Sequence, residues 1–205
     1  MHMPTIRQLC TLFAGCVVLG LGVGLLLTAD LGADGYSTLI TGLSIWSGLA
    51  WGAVSVVVAL LFLLMAYVRG LVPGIGTVAQ VAIVSTVVPL TMKVLETPQS
   101  LLGQVVMLAL AFPLLASGIA GYLGSHTGAG PTEAAALAWD PPIPFKWSYS
   151  TVQFGGALVG WLGGATVGFG TLAVILLLGP GVTLAGSLLR LDVHQQQAHP
   201  APRRQ

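Results

Sequence analysis

The sequence predicts an all-α polytopic membrane protein, and three observations carry that expectation. The chain has 205 residues, 55% of them hydrophobic and only 6% charged, with a mean hydropathy of +0.92; a soluble domain is about 25% charged. Long apolar stretches recur along it, each near the roughly 20 residues that a helix needs to cross a hydrocarbon core. The two halves of the chain also resemble each other at a fixed offset. The architecture expected is six transmembrane helices arranged as two inverted three-helix repeats, each repeat with one short broken or re-entrant helix.

The six expected spans are residues 8–29, 48–68, 72–94, 101–123, 148–167 and 168–189. The first follows Arg7 like a signal peptide, but its apolar run continues to Leu27 and no small-x-small cleavage site follows, so it should remain as a span. Cys10 and Cys16 are six apart on that span, outside any CxxC or Cys/His cluster, and read as small buried hydrophobes. Pro89 and Pro113 fall inside the third and fourth spans, where a proline removes a hydrogen bond and crowds the preceding turn. Small residues at fourfold spacing, Gly156, Gly160, Gly164 and Gly168, with Gly20 and Gly24 on the first span, allow helix backbones to approach closely.

Residues 36–46 and 132–139 look helical but are too short to cross. They are expected as half-helices or interfacial helices tucked against protein, since broken backbone at membrane depth is tolerated only there. Residues 1–191 form one transmembrane domain, with repeat 1 at about 8–95 and repeat 2 at about 101–190. The polar, Pro-containing stretch 192–205 is expected to be a disordered cytoplasmic tail.

The duplication rests on three blocks. Leu31-Gly32-Ala33 matches Thr127-Gly128-Ala129, Trp51 and Ser55 match Trp147 and Thr151, and Gly74-Ile75-Gly76-Thr77 matches Gly168-Phe169-Gly170-Thr171 after a two-residue slip. Three spans per half is an odd number, so the second copy must run in the opposite sense, as in many secondary transporters. With the N-terminus cytoplasmic, Arg7, Arg69, Lys146, Arg190, Arg203 and Arg204 fall inside and only Lys93 outside, which makes both termini cytoplasmic. An eight-span arrangement satisfies the charge rule equally; the helix lengths favour six.

The Gly-rich first span, Leu31-Gly32-Ala33-Asp34-Gly35, Pro73-Gly74-Ile75-Gly76-Thr77, Thr127-Gly128-Ala129-Gly130-Pro131 and Val167-Gly168-Phe169-Gly170-Thr171 together resemble the YczE/YitT-like family of bacterial integral membrane proteins, closest to YczE, over about residues 7–190. The resemblance implies a location in the bacterial inner membrane and suggests a transporter, and it supplies no catalytic residues. Members often carry an acid after the LGA break; here Glu133 holds that place in the second half and Ser37 in the first.

Ionisable groups at membrane depth are expensive and usually face a cavity or a partner. The candidate substrate-binding residues are therefore Asp30, Asp34, Ser37, His126, Thr127 and Glu133, grouped at the two Gly-Ala breaks. Capping offers a simpler account of the acids: Asp34 suits the N-cap of a helix starting at Gly35, and Pro131 suits a first helical position with Glu133 in the first turn. Acids at both helix starts offset the dipole, which favours a cationic, zwitterionic or proton-coupled solute over a simple anion. His126 titrates near neutrality and could relay protons, or simply pack.

The function expected is a small-solute permease or exporter with its site between the two breaks. The alternative is a non-transporting protein that assists a partner through the stiff, aromatic 139–147 loop, which reads otherwise as an interfacial anchor. An enzyme is not expected, because no GxSxG, HExxH, P-loop or paired nucleophile and base is present. No metal site or cofactor is expected, and a net charge of +1 without a basic field argues against nucleic acid. The expected partners are the lipid bilayer, a small solute, and a second copy or another protein.

Overall fold

The computed structural model describes residues 4–193, so the expectations for residues 194–205, Arg203 and Arg204 among them, lie outside the described residues. Those residues form helices α1 (Ile6–Thr28), α2 (Gly35–Ser47), α3 (Trp51–Val68), α4 (Ile75–Val94), α5 (Leu101–Leu123), α6 (Pro131–Leu137), α7 (Phe145–Leu162) and α8 (Phe169–Leu189), with no strand among them. Five of them, α1, α3, α4, α5 and α8, are long and apolar enough to cross a membrane. The helix expected as a further span, α7, has 18 residues and carries Lys146, Ser148, Ser150, Thr151 and Gln153, which lower its hydropathy.

Helix ends follow local chemistry. Thr5 and Gln8 cap α1 reciprocally. Gly48, at φ 70°, closes α2 in the left-handed conformation, so α3 begins at Trp51 and not at the expected residue 48. Extended backbone at Gly74 delays α4 to Ile75. Pro144 caps α7 from the β side, starting it three residues earlier than expected, and Gly164 at φ 97° follows its early end. The middle of α8, Val174–Leu178, widens to a π-helix. The cause is Pro180: it has no amide to donate and its ring crowds the preceding carbonyls, so the ladder slips by one residue. Sequence periodicity gave no sign of it.

The packing is built on glycine. α1 and α5 run antiparallel with backbones almost touching: a Cβ on Gly15 would meet the backbone of Tyr122, one on Gly118 the backbone of Leu19, and one on Gly22 that of Leu115. α4 lies parallel to α1, with Val87 on Gly20 and Thr91 on Gly24. In the second half α8 lies parallel to α5 in the same way, with Ala116 facing Gly181 and Leu191 on Gly124. Small residues at these crossings bring many atoms into dispersion contact, the main source of helix association where lipid is as apolar as the core. Cys16, as expected, sits in that core, in the same buried cluster as Ile119, Tyr122 and Leu123; Cys10 is exposed instead, because its turn of α1 faces outwards.

The start of α1 reaches the end of α5, where Gln8 Nε2 donates to the Ser125 carbonyl at 3.1 Å. The ends of α5 and α8 therefore share one end of the bundle with Arg7 and Arg190, while Lys93 lies at the other, with the end of α1. Val193 is only 4% exposed because Gly186 leaves a recess on α8 for its side chain.

Candidate functional site

Each Gly-Ala break is held by the opposite half. After α1 the chain turns through Asp30 (φ 54°) and Gly32 (φ 117°); after α5 it turns through His126 (φ 53°) and Gly128 (φ 126°). These left-handed positions suit glycine, and Asp30 and His126 adopt them at a steric cost. The Gly170 amide donates to the Leu31 carbonyl at 2.7 Å, and the Gly76 amide donates to the Thr127 carbonyl at 2.8 Å. Thr77 Oγ1 adds a bond to the Ala129 carbonyl at 2.7 Å, and Thr171 Oγ1 stands against Gly32. The Gly-x-Gly-Thr motifs are thus clamps: bare amides and a buried hydroxyl that grip broken backbone.

The two short helices start from these breaks. Asp34 caps α2 as the sequence suggested, its carboxylate accepting from Ser37 N at 3.1 Å. Pro131 occupies the first turn of α6, with Glu133 also in that turn. α2 begins against the middle of α7, where Gly35 is pressed to Gln153, and runs alongside it until Gly42 meets Gly160 and Gly163. α6 goes the other way and ends near α3, where Arg69 Nε donates to the Ala138 carbonyl at 3.0 Å and its guanidinium lies 4.5 Å from the Trp139 ring.

Glu133 is 5% exposed. Its carboxylate accepts hydrogen bonds from the hydroxyls of Tyr122 on α5 and Tyr149 on α7 and from its own amide, and the charge of Asp34 reaches it. The Tyr122 oxygen in turn accepts from Gly130 N at 3.2 Å, and the Tyr149 oxygen from Gln153 Nε2 at 2.9 Å. Among the described residues no arginine, lysine or histidine neutralises Glu133. A buried carboxylate survives only with such donors around it. One acceptor is left over: Gln153 Oε1 is buried without a hydrogen-bond partner, beside Gly35 at the start of α2.

Of the six residues singled out from sequence, Asp34 and Glu133 come within reach of each other's charge, Asp34 beside Gly35 on Gln153 and Glu133 on the two tyrosines, with Ser37 as the amide that Asp34 caps. Asp30 and His126 are exposed at opposite ends of the antiparallel α1/α5 pair. Thr127 serves the clamp through its carbonyl, its hydroxyl lying 2.7 Å from that of Ser125. Asp30 instead lines an open cleft of ≈ 450 Å³ with Ala33, Thr38, Thr41 and Thr166. Tyr122, Tyr149 and Gln153 were missed because each reads as an ordinary member of an apolar helix. Tyr149 and Gln153 are one turn apart on α7, and that i, i+4 polar pair was the signal available. Among the described residues no group of three or more His, Cys, Asp or Glu could hold a metal.

Comparison with known proteins adds lineage without chemistry. An uncharacterized protein of Haemophilus influenzae is 26% identical over 157 residues, which cover 76% of this chain and 72% of that protein. No solved structure matches the chain. A family described as of unknown function, DUF6198, matches residues 6–186. With nearly the whole helical domain inside that match, the chain, whose described residues hold five helices long and apolar enough to cross a membrane, belongs to the DUF6198 family.

Proposed function

We propose that the protein is a small-solute permease or exporter of the bacterial inner membrane, built from two inverted three-span repeats with α7 as the sixth span. The observation that carries the reading is that both short helices start against polar groups of the bundle: Gly35 of α2 lies on Gln153 of α7, and Gly130, before α6, donates to the Tyr122 hydroxyl of α5, with Glu133 bonded to Tyr122 and Tyr149. Broken helices that end at ionisable groups inside a bundle are how many transporters bind solute between repeats. The repeated backbone angles at Asp30 and His126 and at Gly32 and Gly128 support the duplication, and the resemblance to YczE-like proteins fits it. Arg7 and Arg190 at one end, opposite Lys93, support cytoplasmic termini.

In this arrangement the cleft at Ala33 is open, whereas Ala129 at the matching break is 3% exposed. A carrier that opens to one side at a time fits that asymmetry. The test is thiol labelling of Ala33→Cys and Ala129→Cys in a background lacking Cys10 and Cys16. A water-soluble maleimide should modify position 33 quickly from one side of the membrane and position 129 slowly from the other. Complete protection of both positions, from both sides, would falsify the reading.

A further inference from the structure

We infer that the cluster at Asp34, Glu133 and Gln153 binds the protonated amine of its solute, a primary ammonium group carrying three N–H donors. The inference rests on the permease reading and names the chemistry of its site. It begins from a count of hydrogen-bonding capacity. Of the side-chain donors here, the Tyr122 and Tyr149 hydroxyls are committed to Glu133 and Gln153 Nε2 to Tyr149. The Gln80 amide of α4 also reaches the Glu133 carboxylate at Gly130, with Cδ and Oε1 its nearest atoms there, and adds a further acceptor. Three acceptors on the α2 and α7 side of the cluster decide the chemistry. The Glu133 carboxylate has no cationic partner among the described residues, Asp34 keeps an oxygen beyond the bond from Ser37 N, and Gln153 Oε1 has none at all.

An unpaired acceptor on a side chain 1% exposed is costly, and an apolar residue of the same shape would remove the cost. Gln153 keeps it, at the start of α2 and one turn from the tyrosine that holds Glu133. Two acids and one amide oxygen ask for positive charge and directed donors together. An anion would add a third negative charge. A neutral polyol would leave both acids uncompensated, and a quaternary ammonium has charge but no N–H. A primary ammonium supplies both, with three donors for three acceptors.

The experiment uses the full chain in detergent and follows its thermal unfolding in methylammonium, tetramethylammonium and sodium chlorides at equal ionic strength. Methylammonium should raise the unfolding midpoint in a saturable way, as ligands that bind only the folded state do, and the other two should not. Gln153→Leu removes the orphaned Oε1 but also the Nε2–Tyr149 bond, so it should unfold close to the wild-type temperature, and it should bind methylammonium at least about tenfold more weakly, a difference readily measured. If that variant does not fold, the selectivity of the wild-type protein decides alone. An equal response to sodium overturns the amine in favour of an alkali cation. A flat response to methylammonium while Ala33→Cys still labels overturns the amine and leaves the permease standing. A selective response with both break positions protected overturns the permease and leaves the amine site.

Discussion

Gln153 and Tyr149, one turn apart on α7, form a relay: the amide nitrogen donates to the phenol oxygen at 2.9 Å, and the phenol donates onwards to Glu133. Each bond polarises the next, and each member is buried. Tyr149→Phe removes the middle of the relay, leaving Glu133 short of a donor and Gln153 Nε2 without an acceptor. The expected loss is about 1–3 kcal/mol, the usual cost of orphaned buried groups. A lower unfolding midpoint in detergent checks it; an unchanged midpoint would mean that the carboxylate does not depend on the phenol.

Glu133→Gln separates structure from work. The amide still accepts from both tyrosines and removes a buried charge, so the variant should insert normally and unfold within about 1 kcal/mol of wild type. A carboxylate that binds a cation or carries a proton cannot be replaced in this way. The variant should therefore fail to restore the phenotype of a deletion strain. Full rescue across a range of pH would assign Glu133 to structure.

The contact of α2 with α7 has no room for a methyl group. A Cβ on Gly160 would overlap the Thr38 carbonyl, whereas one on Gly52 of α3 would meet nothing within 4 Å. Gly160→Ala should cost about 1–3 kcal/mol by overpacking, and Gly52→Ala should be neutral or gain up to about 1 kcal/mol from helix propensity. Equal unfolding midpoints for the two variants would contradict the close approach.

Reporter fusions test the proposed topology. A fusion after Gly70, just beyond α3, should report cytoplasm, and one after Thr97, between α4 and α5, should report the outside. The opposite result at both sites supports eight crossings.

Much of the helical pattern was legible in the sequence because composition and run length decide it. The short helices were found within two residues at each end, since Asp34 as an N-cap and Pro131 as a first helical residue announce a start. The π-segment of α8 was not legible, because Pro180 does not say whether a helix will kink, break or slip. At the site, the acids were visible as charges in an apolar chain. Asp30 and His126 each precede a Gly-Ala break, and the antiparallel packing of α1 on α5 places them at opposite ends of that pair. Gln153 escaped notice because an uncharged polar residue on a helix acquires meaning only when its partners, or their lack, are known.

The crossed clamps also set a timetable for assembly. The Leu31 carbonyl is bonded by the amide of Gly170, about 140 residues later in the chain. At about 5–20 residues per second, the ribosome needs roughly 7–30 s to make that partner after the first break has left it. Until then the first break has no grip from the second half, and a chain stopped after α4 never acquires one. Such a truncated chain should be short-lived in the cell, and a separately made second half supplied alongside it should restore its level.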